Sequence, residues 1–418
     1  MDIRSGTCEE EMQSERGIRS IENNTLFPFE NEDLLIQILL RLPVKSLLRF
    51  KSVSKSWFSL ISDPHFATMH FELSASCTQR LVLLPSSFAS ESLSMIDLDA
   101  SLLDFSSSAS VSLSFLPLQP SCFFPIRIMG SCRGFLLLVC DQFFYLWNPS
   151  TGVNKRICFP PFTPTLNYSV CVKCFFGFGY DPSTDDYLVV LASFDPVNVA
   201  THFEFFSLRA YTWTQIEATM PYMNPSINKP GLSSLLNGAI HWLSSRYDAA
   251  VIAILAFDLM ERSVYEIPLP NDIDICFASC DLLVLGGFLS LCVKGNRTTD
   301  IWVMQEYKVK SSWTKSIVVP IGTPNQYFSP ICSTKSGDIV GTDAGLSGGI
   351  RLVKYNDKGK LRQHRLYSAN PRGYDAAMYT ESLLSLPGDN DQAEEKMNDN
   401  NKQDEFGYEI SPITLQFY

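Results

Sequence analysis

Residues 34–57 read LLIQILLRLPVKSLLRFKSVSKSW, and this segment decides how the N-terminal part of the chain folds. Its first leucines and isoleucines recur at the spacing of one helical face. Pro43 ends this first predicted helix, since proline cannot continue it. A second short helix is predicted directly after Pro43, a third is capped by Ser54, and a fourth starts at Asp63-Pro64. The apolar stripe of the first helix consists of Leu34, Leu35, Ile38, Leu39 and Leu42.

A helical unit this short cannot bury all of its large apolar side chains by itself. Residues 41–55 also contain several basic side chains and no acid, a composition that favours an acidic partner surface. Two interpretations stay open from the pattern alone: another protein covers the helices, or the helices pack on the rest of the chain. The basic residues are Arg41, Lys45, Arg49, Lys51 and Lys55.

Between residues 133 and 386, short apolar and aromatic runs alternate with Gly, Pro, Asp and Asn. Each unit contains a glycine-led apolar strand, a second strand, a polar turn and a third strand. The sequence therefore predicts an α+β multidomain protein, with a small N-terminal helical domain before an all-β domain. A β-propeller of about six blades is the favoured architecture, and a large β-sandwich is the alternative. The leading glycines, spaced like propeller blades, are Gly134, Gly179, Gly238, Gly287 and Gly337.

The net charge of −11 is concentrated near the two ends of the chain. Residues 1–24 carry six acids against three arginines, and residues 387–411 carry eight acids against two lysines. This composition predicts a disordered leader over residues 1–25 and an acidic, mostly disordered tail over residues 387–418. The rest of the chain has no basic patch that would indicate nucleic acid binding.

The sequence predicts an intracellular protein, cytoplasmic and/or nuclear, that does not enter a membrane. The first residues are acidic and polar, unlike a secretory signal sequence. No apolar run is long enough to span a bilayer, since Asp141 interrupts the best candidate. The cysteines are accordingly expected to be reduced.

No catalytic residue, cofactor site or metal site is predicted. Cys171 and Cys174 have the spacing of zinc ligands, but no second pair follows, so a core strand is the better interpretation. His241 lies beside Trp242 and is expected to be structural. The glycine-rich run 345–349 lacks the Lys-Ser/Thr of a phosphate-binding loop.

The segment 34–57, continued by residues 59–66, closely resembles the F-box of plant F-box proteins. Where that family usually has Leu-Pro before the first helix, this chain has Glu30-Asn31, with Phe27-Pro28 slightly upstream. Other motifs resemble the F-box-associated, kelch-like domain of one plant subfamily. The resemblance divides the chain into an F-box over 26–72 and a β-propeller-like domain over 74–386. The downstream motifs are Gly130–Gly134, Trp147–Gly152, Phe178–Tyr187, Asn237–Trp242 and Tyr379–Leu384.

This resemblance implies a non-catalytic substrate-recognition subunit of a Skp–cullin–F-box ubiquitin ligase. The F-box would bind a Skp-type adaptor and, through it, a cullin and a RING protein. The β-domain would hold an unknown target protein for ubiquitination and proteasomal degradation. The adaptor-binding residues implied are Leu34, Leu35, Ile38, Leu39, Leu42, Pro43, Leu47, Leu48, Val53 and Trp57.

Two other functions remain open from the sequence. One is an F-box binding scaffold, lectin-like or complex-assembling, that acts without ubiquitination. The other is a propeller enzyme, for which the sequence offers no nucleophile–base pair. In a propeller, a target would meet long loops at one face. The long irregular segments are Asp195–His202, Pro221–Lys229, Gly322–Pro330 and Ala344–Gly349.

Overall fold

A computed structural model describes this protein between residues 32 and 387. The gaps in that range are 76–78, 86–91, 98–107, 114–115, 117–125, 141–142, 162–173, 225–232, 248–250, 272–279, 296, 322–326, 345–349 and 369–373. The predicted leader, the tail beyond residue 387, Glu30-Asn31, Cys171 and the run 345–349 lie outside the described residues.

Four helices open the described chain: α1 (Glu32–Leu39), α2 (Val44–Phe50), α3 (Lys55–Ser62) and α4 (Pro64–Ser74). The predicted caps are confirmed, because the Ser54 Oγ accepts from the Trp57 N–H at 3.1 Å and an Asp63 carboxylate oxygen accepts from the Phe66 N–H at 2.9 Å. Pro64 occupies the first turn of α4.

The first helix is shorter than the apolar stripe predicts, because it ends at Leu39 and leaves Leu42 outside. Pro43 explains the difference. It has no N–H to bond the carbonyl of Leu39, and it disfavours the helical conformation at the residue before it.

The chain divides into two compact units, residues 1–39 and residues 40–418. The first contains α1, and the second contains α2–α4 and every described strand. No helix in the described part of the chain is both long enough and apolar enough to cross a membrane.

Within the described residues, twenty-five short strands follow the helices. They are β1 (Gln79–Pro85), β2 (Ser92–Asp97), β3 (Ser108–Ser112), β4 (Arg127–Cys132), β5 (Phe135–Cys140), β6 (Phe143–Trp147), β7 (Asn154–Cys158), β8 (Phe175–Asp181), β9 (Asp186–Asp195), β10 (Ala200–Ser207), β11 (Thr212–Met220), β12 (Tyr222–Met223), β13 (Ser234–Leu236), β14 (Ala239–Arg246), β15 (Ile252–Asp258), β16 (Val264–Ile267), β17 (Cys280–Leu285), β18 (Phe288–Lys294), β19 (Thr298–Met304), β20 (Trp313–Pro320), β21 (Tyr327–Ser333), β22 (Ile339–Ala344), β23 (Ile350–Tyr355), β24 (Leu361–Ser368) and β25 (Tyr374–Thr380).

The strands form six antiparallel sheets, which are the blades of a β-propeller, and the predicted fold class is confirmed. Blade 1 has the order β25-β1-β2-β3, so it is built from both ends of the domain. Its register pairs Gln79 with Thr380 and Leu81 with Met378. Blades 2 to 6 follow in chain order as β4–β7, β8–β11, β12–β16, β17–β20 and β21–β24.

The described blades contain four strands each, or five in blade 4, whereas the sequence pattern predicts three, because the glycine marks a turn and not the start of the blade. In three blades, the first and second strands are joined by two consecutive residues with positive φ, as in a type I′ hairpin turn. Gly179 differs, since it lies inside β8, where a Cβ would come within 2.5 Å of the Leu259 side chain. The three turn pairs are Arg133-Gly134, Asn237-Gly238 and Gly286-Gly287.

Consecutive strands of a blade run in opposite directions, so the turns between them lie alternately on two faces of the propeller. We call hairpin face the one where the first strand of each blade turns into the second, as at residues 132–135. The opposite face, where the second strand turns into the third, is the loop face. Gln79 pairs with Thr380 at the end of β25, so the chain enters the propeller from α4 at the hairpin face.

Candidate adaptor and target interfaces

Two of the four predicted adaptor-binding residues on α1 are exposed. Leu34 is 53% exposed and Ile38 is 46% exposed, whereas Leu35 and Leu39 are buried. These two pairs lie on different sides of one amphipathic helix. Leu34 and Ile38 are thus available to a partner.

The segment from α2 to α3 presents a second apolar group. Val53 is 61% exposed, and Leu48 and Trp57 are half-buried. Phe58, which the sequence prediction omitted, is 48% exposed. The sequence signal was that Phe58 directly follows Trp57 in the predicted helix. Adjacent helical side chains point in different directions, so the two aromatic rings were not both expected to be buried on one face.

The remaining predicted residues divide in the same way. Leu47 is buried, Leu42 is half-buried, and Pro43 is exposed. Leu35, Leu39 and Leu47 are thus buried, and the other seven predicted residues are at least partly exposed. Contact of all ten with an adaptor stays a prediction.

Basic side chains accompany the exposed apolar group. Lys51 is half-buried, its ammonium lies 5.8 Å from the centre of the Phe58 ring, and burial lowers its pKa. The other basic residues, Arg41, Lys45, Arg49 and Lys55, are exposed. This arrangement would speed association with an acidic partner.

Arg133 joins α4 to the propeller, and we call this contact the α4 joint. Its guanidinium lies 5.1 Å from the Phe71 ring centre and 4.1 Å from that of Tyr180. Arg133 has a φ of 46°, a conformation that Asn or Gly adopts more readily. Beside it, Arg80 pairs with Glu381 at 3.4 Å.

His70 supports the joint from inside α4. Its ring is fully buried, and its Nε2 lies 2.8 Å from the Leu42 carbonyl, to which it donates. Burial lowers the pKa of His70, so the ring is neutral at neutral pH. The hydrogen bond ties α4 to Leu42, two residues before the start of α2.

The substitution Arg133→Ala is expected to lower the free energy of unfolding by about 1–2 kcal/mol, because two cation–π contacts are lost. Alanine also carries a Cβ, so the strain of the positive φ stays and does not obscure the result. Arg156→Ala is the matched control, since Arg156 is exposed and lies 4.6 Å from the Phe143 ring. Equal urea midpoints for the two variants would show that the contacts of Arg133 in the α4 joint do not stabilise the fold.

Three of the motifs noted in the sequence meet where the ring closes, and we call this contact the clasp. The Asn148 side-chain amide donates to the carbonyls of Ser382 at 3.0 Å and Leu384 at 3.3 Å. The Tyr379 hydroxyl donates to Asn148 Oδ1 at 2.9 Å. A Cβ on Gly134 would collide with Ser382. The motifs therefore close the propeller, and Trp147–Gly152 is the blade turn predicted.

The four segments predicted for target contact lie only partly within the described residues. The described strands that lead into them, β9, β11, β20 and β22, all end at the loop face. In the first segment, Val197 is 86% exposed at the tip of a turn in which the Asp195 carboxylate accepts from the Val197 N–H at 2.8 Å. Phe194 contacts Tyr247 of blade 4, with ring centres 5.2 Å apart.

Comparison with protein families gives two matches. Residues 31–68 match the F-box domain, and residues 82–340 match the F-box associated beta propeller domain. The chain belongs to this family of F-box proteins. The fold and the order of the two domains agree with the matches, as the helices precede the propeller.

Relatives of this F-box protein come from Arabidopsis thaliana. The F-box/kelch-repeat protein At3g23880 is 29% identical over 69% of this chain and 79% of its own length. F-box protein CPR1 is 27% identical over 85% of this chain and 89% of its own length. F-box protein At5g49610 is 30% identical over 69% of this chain and 78% of its own length.

Two solved structures align with the F-box protein only weakly. AofleA from Arthrobotrys oligospora aligns with a TM-score of 0.36 and 8% identity, over 62% of this chain and 79% of that one. Porphyromonas gingivalis dipeptidyl peptidase 4 aligns with a TM-score of 0.33 and 8% identity, over 73% of this chain and 52% of that one.

One buried histidine of the F-box-associated propeller is hydrogen-bonded through both of its ring nitrogens. His241 is buried, its Nδ1 lies 3.0 Å from the Ser234 carbonyl, and its Nε2 lies 2.6 Å from the Tyr307 hydroxyl. Burial lowers the pKa of His241 to about 4, as suits a structural residue. Cys174 is buried, and the described residues contain no group of three or more His, Cys, Asp and Glu that could hold a metal ion.

Proposed function

We propose that this F-box protein is the substrate-recognition subunit of a Skp–cullin–F-box ubiquitin ligase. The observation that carries the proposal is the exposure of Leu34 and Ile38 on α1 and of Val53 and Phe58 around α3, in a domain that matches the F-box. Exposed large apolar side chains near basic ones fit an acidic adaptor with an apolar groove.

The proposal assigns one task to each part of the chain. The F-box, over residues 26–72, binds the Skp-type adaptor, which connects to the cullin and the RING protein. The kelch-like propeller, over residues 74–386, binds the target and has no catalytic activity of its own. The complex acts in the cytoplasm and/or the nucleus, and the target is degraded by the proteasome.

The loop face is the part of the propeller assigned to the target. α4 meets the propeller at the hairpin face, where Phe71 contacts Arg133. The loop face is at the opposite end of the blade strands, so it is separated from that contact by the length of a strand. A target bound there would leave the α4 joint undisturbed.

Proximity labelling tests the proposal in plant cells, with the full chain fused to a biotin ligase. Labelled proteins should include the adaptor and a cullin. A further set should accumulate when the proteasome or cullin activation is inhibited. The matched control is Val53→Glu with Phe58→Glu, which should lose adaptor and cullin labelling together.

Two results would contradict the ligase assignment. Labelling of the adaptor without any cullin would support the scaffold function instead. A labelled set that is unchanged by both inhibitors would show that bound proteins are not degraded through this complex.

A further inference from the structure

The segment between α2 and α3 carries an exposed serine beside the apolar group described above. Ser52 lies between Lys51 and Val53, and Val53 is 61% exposed. Ser52 belongs to neither helix, since α2 ends at Phe50 and α3 begins at Lys55. Its side chain is exposed, so the hydroxyl is open to an enzyme that modifies serine in an irregular segment.

Basic residues precede this serine. Arg49 is exposed and stands three residues before Ser52, and Lys51 stands directly before it. The whole segment 41–55 contains five basic residues and no acid. Protein kinases select their substrates by such charge patterns, because acidic side chains of the kinase pair with basic ones of the substrate. Ser52 therefore has the surroundings of an acceptor for a kinase that prefers basic substrates.

Ser54, two residues further on, is a poorer acceptor. Its Oγ accepts from the Trp57 N–H at 3.1 Å and caps α3. The basic residue three positions before it is Lys51, which is half-buried, with its ammonium 5.8 Å from the Phe58 ring centre. A kinase would reach the exposed Arg49 more readily than this lysine, and that difference favours Ser52.

We propose that Ser52 is a phosphorylation site and that a phosphate on it prevents binding of the Skp-type adaptor. In the reaction, the Ser52 Oγ attacks the γ-phosphorus of ATP, and the bond from that phosphorus to the leaving oxygen of ADP breaks. The hydroxyl proton passes to a base of the kinase, and ADP is released. The inference rests on the proposed function and adds a regulatory site to it.

The phosphate would change the charge of this surface more than its structure. It adds a charge of about −1.5 to −2 at neutral pH to a segment that carries only basic charges. The Ser52 Oγ donates to the Arg49 carbonyl at 2.7 Å, and a phosphate ester oxygen has no hydrogen to donate. The Ser52 N–H also donates to that carbonyl, at 3.2 Å, and this backbone bond is kept.

Adaptor binding would then fail for two reasons. The new negative charge weakens the attraction between a basic surface and an acidic partner, which slows association. An interface that covers Val53 would also have to remove water from the neighbouring phosphate, and an acidic partner offers no cation in return. Phosphorylation would thus keep this F-box protein out of the ligase without unfolding it.

Surface plasmon resonance with a homogeneous phosphoprotein tests the effect on binding. The full chain carries phosphoserine, incorporated during translation, at position 52, and the Skp-type adaptor is immobilised. The affinity should fall at least about tenfold relative to the unmodified chain. Ser52→Ala loses the same side-chain hydrogen bond without a change of charge, so it should bind like the unmodified chain. Phosphoserine at position 316 is the matched control and should also bind normally, because Ser316 is exposed on β20.

Mass spectrometry of the full chain from plant cells tests the site itself. Chymotrypsin cleaves after Phe50 and Trp57, so the fragment 51–57 should carry phosphate on Ser52 when phosphatases are inhibited. Arg49→Ala should lower the phosphorylated fraction about fivefold or more, because it removes the basic side chain that the kinase pairs with. The matched control is Lys310→Ala, an exposed basic residue of blade 5, which should leave that fraction unchanged.

Three results would overturn the proposal. They are equal adaptor affinity with and without phosphoserine at position 52, an equal loss of affinity in Ser52→Ala, and recovery of fragment 51–57 without phosphate on Ser52. Adaptor binding by the unmodified chain is read separately. If the unmodified chain binds and phosphate makes no difference, the proposed function stands and the regulatory site falls. If the unmodified chain does not bind, both fall.

Discussion

Asn148→Ala is expected to lower the free energy of unfolding of the propeller by about 3–5 kcal/mol. Asn148 is fully buried, and its amide bonds the carbonyls of Ser382 and Leu384. Its oxygen accepts from the Tyr379 hydroxyl. Alanine leaves the two carbonyls without this partner, and each loss costs about 1–3 kcal/mol. The Tyr379 hydroxyl keeps its contact with Ser150 Oγ at 2.6 Å. These contacts hold the segment that follows β25, the strand that completes blade 1, against blade 2, so the effect reaches the whole domain.

Urea unfolding followed by tryptophan fluorescence measures this loss. Asn154→Ala is the matched control in the same blade, because Asn154 is exposed and its amide reaches only the Gly152 carbonyl at 3.2 Å. The control should change stability by no more than about 0.5 kcal/mol. The loss of unfolding free energy in Tyr379→Phe should lie between those of Asn148→Ala and Asn154→Ala. If Asn148→Ala is as stable as Asn154→Ala, the hydrogen bonds of Asn148 to residues 382 and 384 do not stabilise the propeller.

The helices and their caps were predictable because their signals are local. Ser54 and Asp63 accept the backbone N–H groups three residues further on, as their positions indicate. Pro43 also fixes the end of α1, although the apolar stripe continued to Leu42. At that point the missing N–H and the backbone restriction of proline end the helix, even though the apolar pattern continues.

The propeller was predictable as a repeat, but its closure was not. The recurring glycines have the spacing of propeller blades, which predicted a propeller of about six blades. Asn148 and Ser382 are 234 residues apart, and no spacing rule connects them. The same holds for β1 and β25, which form one blade from opposite ends of the domain.

The candidate sites show the same division between local and distant information. The apolar composition of residues 34–57 pointed to an adaptor, yet burial of Leu35, Leu39 and Leu47 depends on packing that composition does not specify. Ser52 looked like an ordinary polar residue of this segment. Its exposure between two helices depends on where α2 ends and α3 begins.

Leu34→Glu with Ile38→Glu is expected to weaken binding of the Skp-type adaptor at least about a hundredfold. Both side chains are about half exposed on α1, at 53% and 46%. Glutamate favours helices as strongly as leucine does, so α1 should keep its structure. An interface that buries these positions would have to desolvate two unpaired carboxylates, each at a cost of several kcal/mol.

Copurification with the adaptor and surface plasmon resonance measure the change. The matched control is Val197→Glu with Val251→Glu, two exposed apolar positions of the propeller at 86% and 55%. The control should bind the adaptor like the unmodified chain, and both variants should unfold at the same urea concentration. Leu39→Asp is a poorer test, because Leu39 is buried and its loss would destabilise the chain itself. Full adaptor affinity in the Leu34 and Ile38 variant would show that the exposed side of α1 serves another contact.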